Sequence, residues 1–122
     1  MAAVVGDFTM IVGDNAIAIP IVSGPGEVPV PLDGSGFSTG ARKSSDTALL
    51  MYSVKNMTGS AQVYINGNLV GSITATSGSF WTTQMIAVAG GQINDGVNHL
   101  VLKNVTDGFS LKDLFCFFHQ QL

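Results

Sequence analysis

The stretch that decides the fold is Gln62–Ile73, which reads Q-V-Y-I-N-G-N-L-V-G-S-I. Val63–Ile65 and Leu69–Val70 are apolar runs of strand length, and Asn66–Gly67 stands between them. Asn and Gly accept the positive φ angles that a two-residue type I′ hairpin turn requires. The sequence therefore predicts that Val63–Ile65 pairs antiparallel with Leu69–Ile73.

Apolar runs of the same kind lie on both sides of this hairpin. Leu49–Val54 precedes it and is apolar on both faces, which is typical of a strand in the middle of a sheet. Trp81–Val88, Val97–Lys103 and Leu111–Phe118 follow it, separated by Gly, Asn and Asp turns. This spacing predicts an antiparallel β-sandwich, or jelly roll, of about eight or nine strands with almost no helix.

The first part of the chain is less regular. Phe8–Val12 and Ala16–Val22 are apolar runs separated by Gly13–Asn15, a pattern that predicts a second hairpin. Pro20 has no N–H to donate, so its strand is expected at a sheet edge. Ser23–Gly26 reads as a turn, and the prolines that follow predict extended chain that pairs poorly.

A long polar loop then runs from Asp33 to Asp46, interrupted by Phe37. Loops of this length inside a compact domain are usually functional or partly mobile. Two interpretations of Phe37 remain open. Its ring either packs beneath the loop and pins it, or lines a ligand or subunit surface.

Composition supports a single β-sandwich domain over residues 1–122. Only 11% of the residues are charged, 15 are glycine and Glu27 is the one glutamate, a composition that disfavours helix. The mean hydropathy of +0.38 is high for a monomer of this size. We therefore expect a dimer or trimer, with Leu111–Phe118 and Ile17–Ile21 as the interface segments.

Several functional classes are disfavoured. The net charge is −3, and the basic residues form no cluster beyond Arg42-Lys43, which argues against nucleic acid and anionic membrane surfaces. No apolar run approaches the ~18 residues that span a bilayer. The first residues do not resemble a signal peptide, so a cytoplasmic location or export by a non-classical route is expected.

Catalytic patterns are not found either. Cys116 lies within an apolar run, as a buried core cysteine does. His99 and His119 lack companions at zinc-binding spacing. Seven of the eight acids are Asp, mostly in turn-like contexts, so no carboxylate pair for glycoside hydrolysis is predicted. We expect that the protein is not an enzyme.

The second half of the chain resembles the jelly-roll carbohydrate-binding modules of the galactose-binding-domain-like type, of which families six and thirty-five are the nearest. The resemblance rests on five segments and covers about half of the chain: Val63–Gly67, Val70-Gly71, Trp81–Thr83, Gly96–Leu102 and Phe109–Phe117. It implies a non-catalytic sugar-binding module or small lectin.

The resemblance also implies where sugar binds. In such modules a loop-lined cleft sandwiches sugar between aromatic rings, because the C–H face of a pyranose packs on a flat ring. Trp81, the only tryptophan, begins the corresponding strand and is the candidate platform; it could instead belong to the core or an interface. The other candidate ligand-binding residues lie in the loops expected at the same rim: Asp33, Phe37, Asp46, Asp95 and Asn98.

Calcium is the one metal that the resemblance raises. Asp113 falls at the position of an aspartate that ligands calcium in relatives, and only Asp7 could partner it. Two carboxylates serve poorly an ion that takes six to eight oxygens, so no cofactor is expected.

A second functional class fits the composition equally well. A structural or assembly subunit, such as a virion, appendage or shell protein, would show the same low charge and high apolar content without any small-molecule ligand.

Overall fold

The computed structural model describes residues 4–40, 46–76 and 79–121, and within them the chain is all-β. Arg42-Lys43 and part of the loop before Trp81 therefore lie outside the described residues. The strands are β1 Val4–Val12, β2 Ile17–Ile19, β3 Val22–Val30, β4 Phe37–Thr39, β5 Ala48–Lys55, β6 Ala61–Ile65, β7 Asn68–Ile73, β8 Thr82–Val88, β9 Gly96–Asn98, β10 Leu100–Val105 and β11 Phe109–Gln121. One 3-10 turn, Gly90–Gln92, completes the described elements.

The predicted all-β class is confirmed, with more strands than the expected eight or nine. The difference arises because β4 has only three residues, too short a pattern to recognise in the sequence, and because the predicted strand Val97–Lys103 is divided between β9 and β10. In the described part of the chain no helix has the length and apolar character needed to cross a bilayer.

The strands form two principal sheets and a small ribbon, all with antiparallel pairing. The five-stranded sheet has the order β1-β11-β5-β8, with β2 also on β11. The four-stranded sheet has the order β3-β10-β6-β7, and β4 pairs with β9. The predicted central position of Leu49–Val54 is confirmed, since β5 lies between β11 and β8.

The core lies between the two sheets and follows the two-residue period of the strands. Along β5 every second side chain is buried, as are Leu100 and Leu102 on the facing β10. The cavity that Leu50, Leu100 and Leu102 line between these faces has a volume of only about 10 Å³, so the side chains around it interdigitate closely.

The hairpin predicted around Asn66–Gly67 is confirmed. β6 pairs with β7, and Asn66 and Gly67 have φ angles of 51° and 83°. The turn is also anchored to the junction between β9 and β10, because the Asn66 N–H donates to the carbonyl oxygen of His99 at 2.9 Å.

The hairpin predicted around Gly13–Asn15 is wrong. β1 and β2 both pair antiparallel with β11, so they run in the same direction, one after the other, along one side of that strand. The 13 residues of β11 are long enough to accept both. At the join, the Asp113 N–H donates to the carbonyl oxygen of Gly13 at 2.9 Å.

β11 changes the face it presents to the core part-way along. Phe109 and Leu111 are buried in its first part, whereas Leu114, Cys116 and Phe118 are buried in its second. The change is produced by a bulge between Lys112 and Phe115, where the register with β5 shifts by one residue.

The four-stranded sheet ends at a proline-containing edge. The predicted turn at Ser23–Gly26 is instead part of β3, which pairs with β10 and has no partner on its other side among the described strands. An edge strand tolerates proline because one row of its N–H groups needs no ladder partner. Pro20 directly follows β2, which is also at an edge, as expected.

Replacing Gly67 by Val should lower the free energy of unfolding by about 1 kcal/mol or more, because a β-branched residue resists a positive φ. A Cβ at Gly67 would meet nothing within 4 Å, so the cost isolates the backbone. Gly91→Val is the matched control, since its site is equally open and its φ is outside the left-handed region. Equal urea midpoints for the two variants would contradict the type I′ assignment.

Alkaline pH should destabilise the protein through Tyr52. Burial raises the pKa of Tyr52 from 10.0 to about 12, and its hydroxyl donates to Gln84 Oε1 at 3.1 Å. The folded state therefore holds the phenolic proton more tightly than the unfolded state does. The contribution of Tyr52 to stability is complete below pH 10 and is lost as the pH rises toward 12. We expect the free energy of unfolding to fall by up to ~3 kcal/mol over that interval, and by much less in Tyr52→Phe.

Candidate functional site

The structure does not bring the six predicted ligand-binding residues together at one rim. Trp81 directly precedes Thr82, which pairs with Val54, whereas Asp46 lies just before Ala48, which pairs with Val88. The seven residues from Ala48 to Val54 span ~20 Å of strand. Trp81 therefore lies at one end of the five-stranded sheet, and Asp46 lies at the other.

Asn98 belongs to the interior at the Asp46 end. It is fully buried, and its side-chain oxygen accepts hydrogen bonds from the Asn94 N–H at 2.7 Å and the Asn66 amide at 2.8 Å. Its amide nitrogen donates to Thr39 Oγ1 and to the carbonyl oxygens of Asn94 and Gly96, each at 3.1 Å. The amide is thus saturated by the protein and joins β4, β9 and the Asn66–Gly67 turn.

Phe37 is also buried and pairs with Asn98 across the β4–β9 ribbon. Because its ring is buried, Phe37 does not line an exposed surface of the chain. A ligand at the surface does not reach either residue, so direct sugar contacts through Phe37 and Asn98 are not supported.

The three candidate aspartates lie at or near the surface of this same end. Asp33 is exposed, and the hydrogen bond from the Ser35 N–H, at 2.9 Å, lowers the pKa of its carboxyl group. Asp95 is exposed in the turn before β9. Asp46 Oδ2 lies 2.6 Å from His119 Nδ1, beside a surface concavity of about 350 Å³ lined partly by Phe8 and His119.

Trp81 lies on the outer surface of the five-stranded sheet with 36% of its surface exposed. The Lys112 ammonium lies 4.4 Å from the centroid of the indole ring, and the Lys55 ammonium lies 5.9 Å from it. Both lysines are on outward-facing positions, Lys55 at the end of β5 and Lys112 near the start of β11. The ring is therefore a surface group held between two cations and does not belong to the core.

The charge beside Trp81 is not neutralised locally. Within the described ranges, no carboxylate lies within ion-pair distance of Lys55 or Lys112, which are two of only five Lys and Arg residues in the chain. Lys103 differs, since it lies 4.6 Å from the centroid of the Tyr64 ring but also 4.0 Å from Glu27. An aromatic ring with two uncompensated ammonium groups can hold a ligand that has an apolar face and a negative charge.

Other groups extend the surface around Trp81. Phe80 is 73% exposed next to it in the chain. One row along the sheet, Ser53 Oγ and Thr83 Oγ1 lie 3.3 Å apart on exposed positions. The Trp81 surface, defined as Phe80, Trp81, Lys55 and Lys112 with these two hydroxyls, thus combines rings, cations and hydrogen-bonding groups.

The carboxylates considered for calcium are far apart. Asp7 pairs with Phe118, five residues along β11 from Asp113, which corresponds to ~16 Å. Within the part of the chain that the structure describes, no cluster of three or more His, Cys, Asp or Glu side chains could hold a metal ion.

The sequence contains a signal for one of the two lysines beside Trp81. Leu49, Met51, Ser53 and Lys55 share one face of β5 by simple alternation, so a lysine at the end of this face was predictable. Its proximity to Lys112 was not, because the bulge in β11 shifts the alternation there.

Comparisons with known proteins give a fold but no family assignment. No family model matches the chain, and no curated protein sequence matches it. Among solved structures, a family 35 carbohydrate-binding module from Clostridium thermocellum is similar, with 20% identity and a TM-score of 0.54 over 92% of this chain and 98% of that one. The C-terminal family 6 carbohydrate-binding module of LamC, a marine laminarinase from Zobellia galactanivorans, is similar with 15% identity and a TM-score of 0.55, over 92% and 99% of the two chains.

These likenesses confirm the expected resemblance at the level of the fold. The chain has the jelly-roll fold of these modules, and the match extends over 92% of its length. The sequence motifs on which the resemblance was based covered only about half of the chain. The N-terminal strands therefore follow the same architecture without carrying its motifs.

Asn98→Ala should destabilise the protein by about 3 kcal/mol, because it leaves several buried hydrogen-bonding groups without partners. Val97→Ala is the matched control, since Val97 is the adjacent residue on β9 and is 58% exposed. The control should change the thermal midpoint little. A stable Asn98→Ala protein would contradict the structural role assigned to this amide.

Proposed function

We propose that the protein is a non-catalytic carbohydrate-binding module whose Trp81 surface binds saccharides that carry carboxylate or sulfate groups. The observation that carries the proposal is the position of the single tryptophan, which lies at the surface between two lysine ammonium groups without carboxylate partners among the described residues. The jelly-roll likeness to modules described as carbohydrate-binding supports the general class.

The ring supplies the apolar part of the interaction. The axial C–H groups of a pyranose form an apolar face that packs on an indole, while its hydroxyl groups bond to neighbouring polar side chains. Ser53 and Thr83 provide hydroxyls one row from Trp81. Lys112 already covers part of the ring, so an incoming sugar shares the indole with the lysine or displaces it.

The lysines supply selectivity for charge. An ammonium group near an exposed ring gains 0.2–1 kcal/mol from an opposite charge at the surface, about one- to fivefold in affinity. Two such groups therefore favour an acidic sugar over its neutral analogue by about tenfold, and salt should weaken that preference. Because the chain as a whole is negative at −3, the preference must come from this local arrangement.

The acids at the opposite end are not part of this surface. Asp33, Asp46 and Asp95 lie ~20 Å or more along the sandwich from Trp81. Any sugar contact they make would belong to a second site. Phe37 and Asn98 are left out because both are buried.

Tryptophan fluorescence tests the proposal directly, because Trp81 is the only tryptophan. Wild-type protein is titrated with uronate oligosaccharides and with the same oligosaccharides after reduction of their carboxyl groups. A spectral shift with the acidic ligands, and a roughly tenfold weaker response to the reduced ones, is expected. The absence of binding to every member of a panel of uronate and sulfated saccharides would overturn the proposal.

Variants separate stacking from charge. Trp81→Ala should abolish binding measured by calorimetry while leaving the far-ultraviolet spectrum unchanged, since the ring is a surface group. Lys112→Met should weaken binding of the acidic ligand by about two- to fivefold and leave the reduced ligand unaffected. Lys103→Met is the matched control, a lysine over an aromatic ring on the other sheet that should change neither affinity. Undiminished binding by Trp81→Ala would exclude this surface as the site.

A further inference from the structure

The outer side of the five-stranded sheet carries two adjacent rows of apolar side chains. The cross-strand register places one row at Phe8, Phe117, Leu49 and Ala87. The neighbouring row consists of Met10, Phe115, Met51 and Met85. These two rows, called here the apolar face, cross four strands without a charged residue.

The apolar face is open although its strands also contribute to the core. The residues between its members, such as Leu50, Cys116 and Ile86, are buried on the inner side. On the outer side Phe8 is 55% exposed, and Met10 and Met85 are 59% and 62% exposed. Contiguous apolar surface of this kind on a protein marks an interaction site more often than isolated exposed residues do.

The uneven shape of the apolar face suits a protein surface with protruding side chains better than it suits a flat polymer. The ring of Phe8 is inclined by 70° to that of Phe115 and by 42° to that of Phe117, so the three rings form no common plane. Phe8 also borders two concavities, the one of about 350 Å³ and another of about 250 Å³ over Phe115 and Met51. Protruding methionines from a facing surface can fill such hollows, because their side chains adapt in shape.

We propose that a second copy of this chain covers the apolar face, related to the first by a two-fold axis that lies in the interface. A two-fold interface uses the same patch on both copies, so Met10 and Met85 of each copy meet the hollows of the other. Stacked sheets pack in this way with their faces ~10 Å apart.

The available area is enough for a specific dimer. Four strands at ~4.8 Å spacing are ~19 Å wide, and the eight positions from Asp46 to Ser53 are ~26 Å long, so each copy contributes ~500 Å² in projection. The total of ~1,000 Å² reaches the lower range of specific interfaces, and the ridged surface adds to it. We therefore expect dissociation in the micromolar range.

The Trp81 surface lies at the margin of the proposed interface, because Ser53, Thr83 and Lys112 stand one row beyond Met51 and Phe115. This inference does not rest on sugar binding, since the two rows of the apolar face contain no member of the Trp81 surface.

Sedimentation equilibrium of the full chain from 1 to about 200 µM tests the proposal, with a monomer–dimer equilibrium as the expected result. Phe8→Lys should weaken the dimer by about thirtyfold or more, because it removes an exposed aromatic anchor and places a charge in the interface. Phe80→Lys is the matched control, because Phe80 is 73% exposed outside the apolar face and should leave the dimer unchanged. A circular dichroism spectrum equal to the wild type shows that each variant is folded.

A monomer throughout the concentration range, a trimer or open polymer, or an unchanged dimer in Phe8→Lys would overturn the proposal.

Discussion

The structure depends on the hydrogen bonding of β11 along both of its edges. This 13-residue strand pairs with β1 and β2 on one side and with β5 on the other, so the N-terminal strands reach the sheet only through it. Its inner side chains fill the core, while Phe115 and Phe117 form the middle of the apolar face. The register of this one strand thus determines which of its side chains enter the core and which form the outer surface. It also determines the position of Lys112 beside Trp81.

The sequence predicted those parts of the fold that local chemistry controls. The turn at Asn66–Gly67 needs positive φ at both residues, and few other residue pairs supply it at low cost. The pairing of β1 with β2 was mispredicted. Two apolar runs on either side of Gly13–Asn15 are compatible with a hairpin and equally with two strands that follow one another along a third strand. Only the length of β11, which accepts both in succession, decides between these arrangements.

The candidate site was predicted in part. Trp81 proved to be at the surface, but its lysine partners come from β5 and β11, and no local pattern relates these strands. Asn98 was chosen as a sugar ligand because amides bond hydroxyls, yet the same capacity serves the interior, where it joins three segments distant in sequence. In the sequence, a polar residue in a turn-rich stretch looks the same whether it binds a ligand or bonds within the interior. Only its burial in the folded structure distinguishes the two roles.

The bulge in β11 also determines how the gene can change. Upstream of it the odd-numbered residues Phe109 and Leu111 face the core, and downstream the even-numbered Leu114, Cys116 and Phe118 do. A deletion of one codon at Lys112 or Asp113 would join the two halves in a single alternation and exchange the inner and outer faces of one half. The same deletion in the surface turn at Asp14-Asn15 would shorten only a connection. Tolerance to insertions and deletions should therefore differ sharply between two places that adjoin in space, since Gly13 and Asp113 are hydrogen-bonded neighbours.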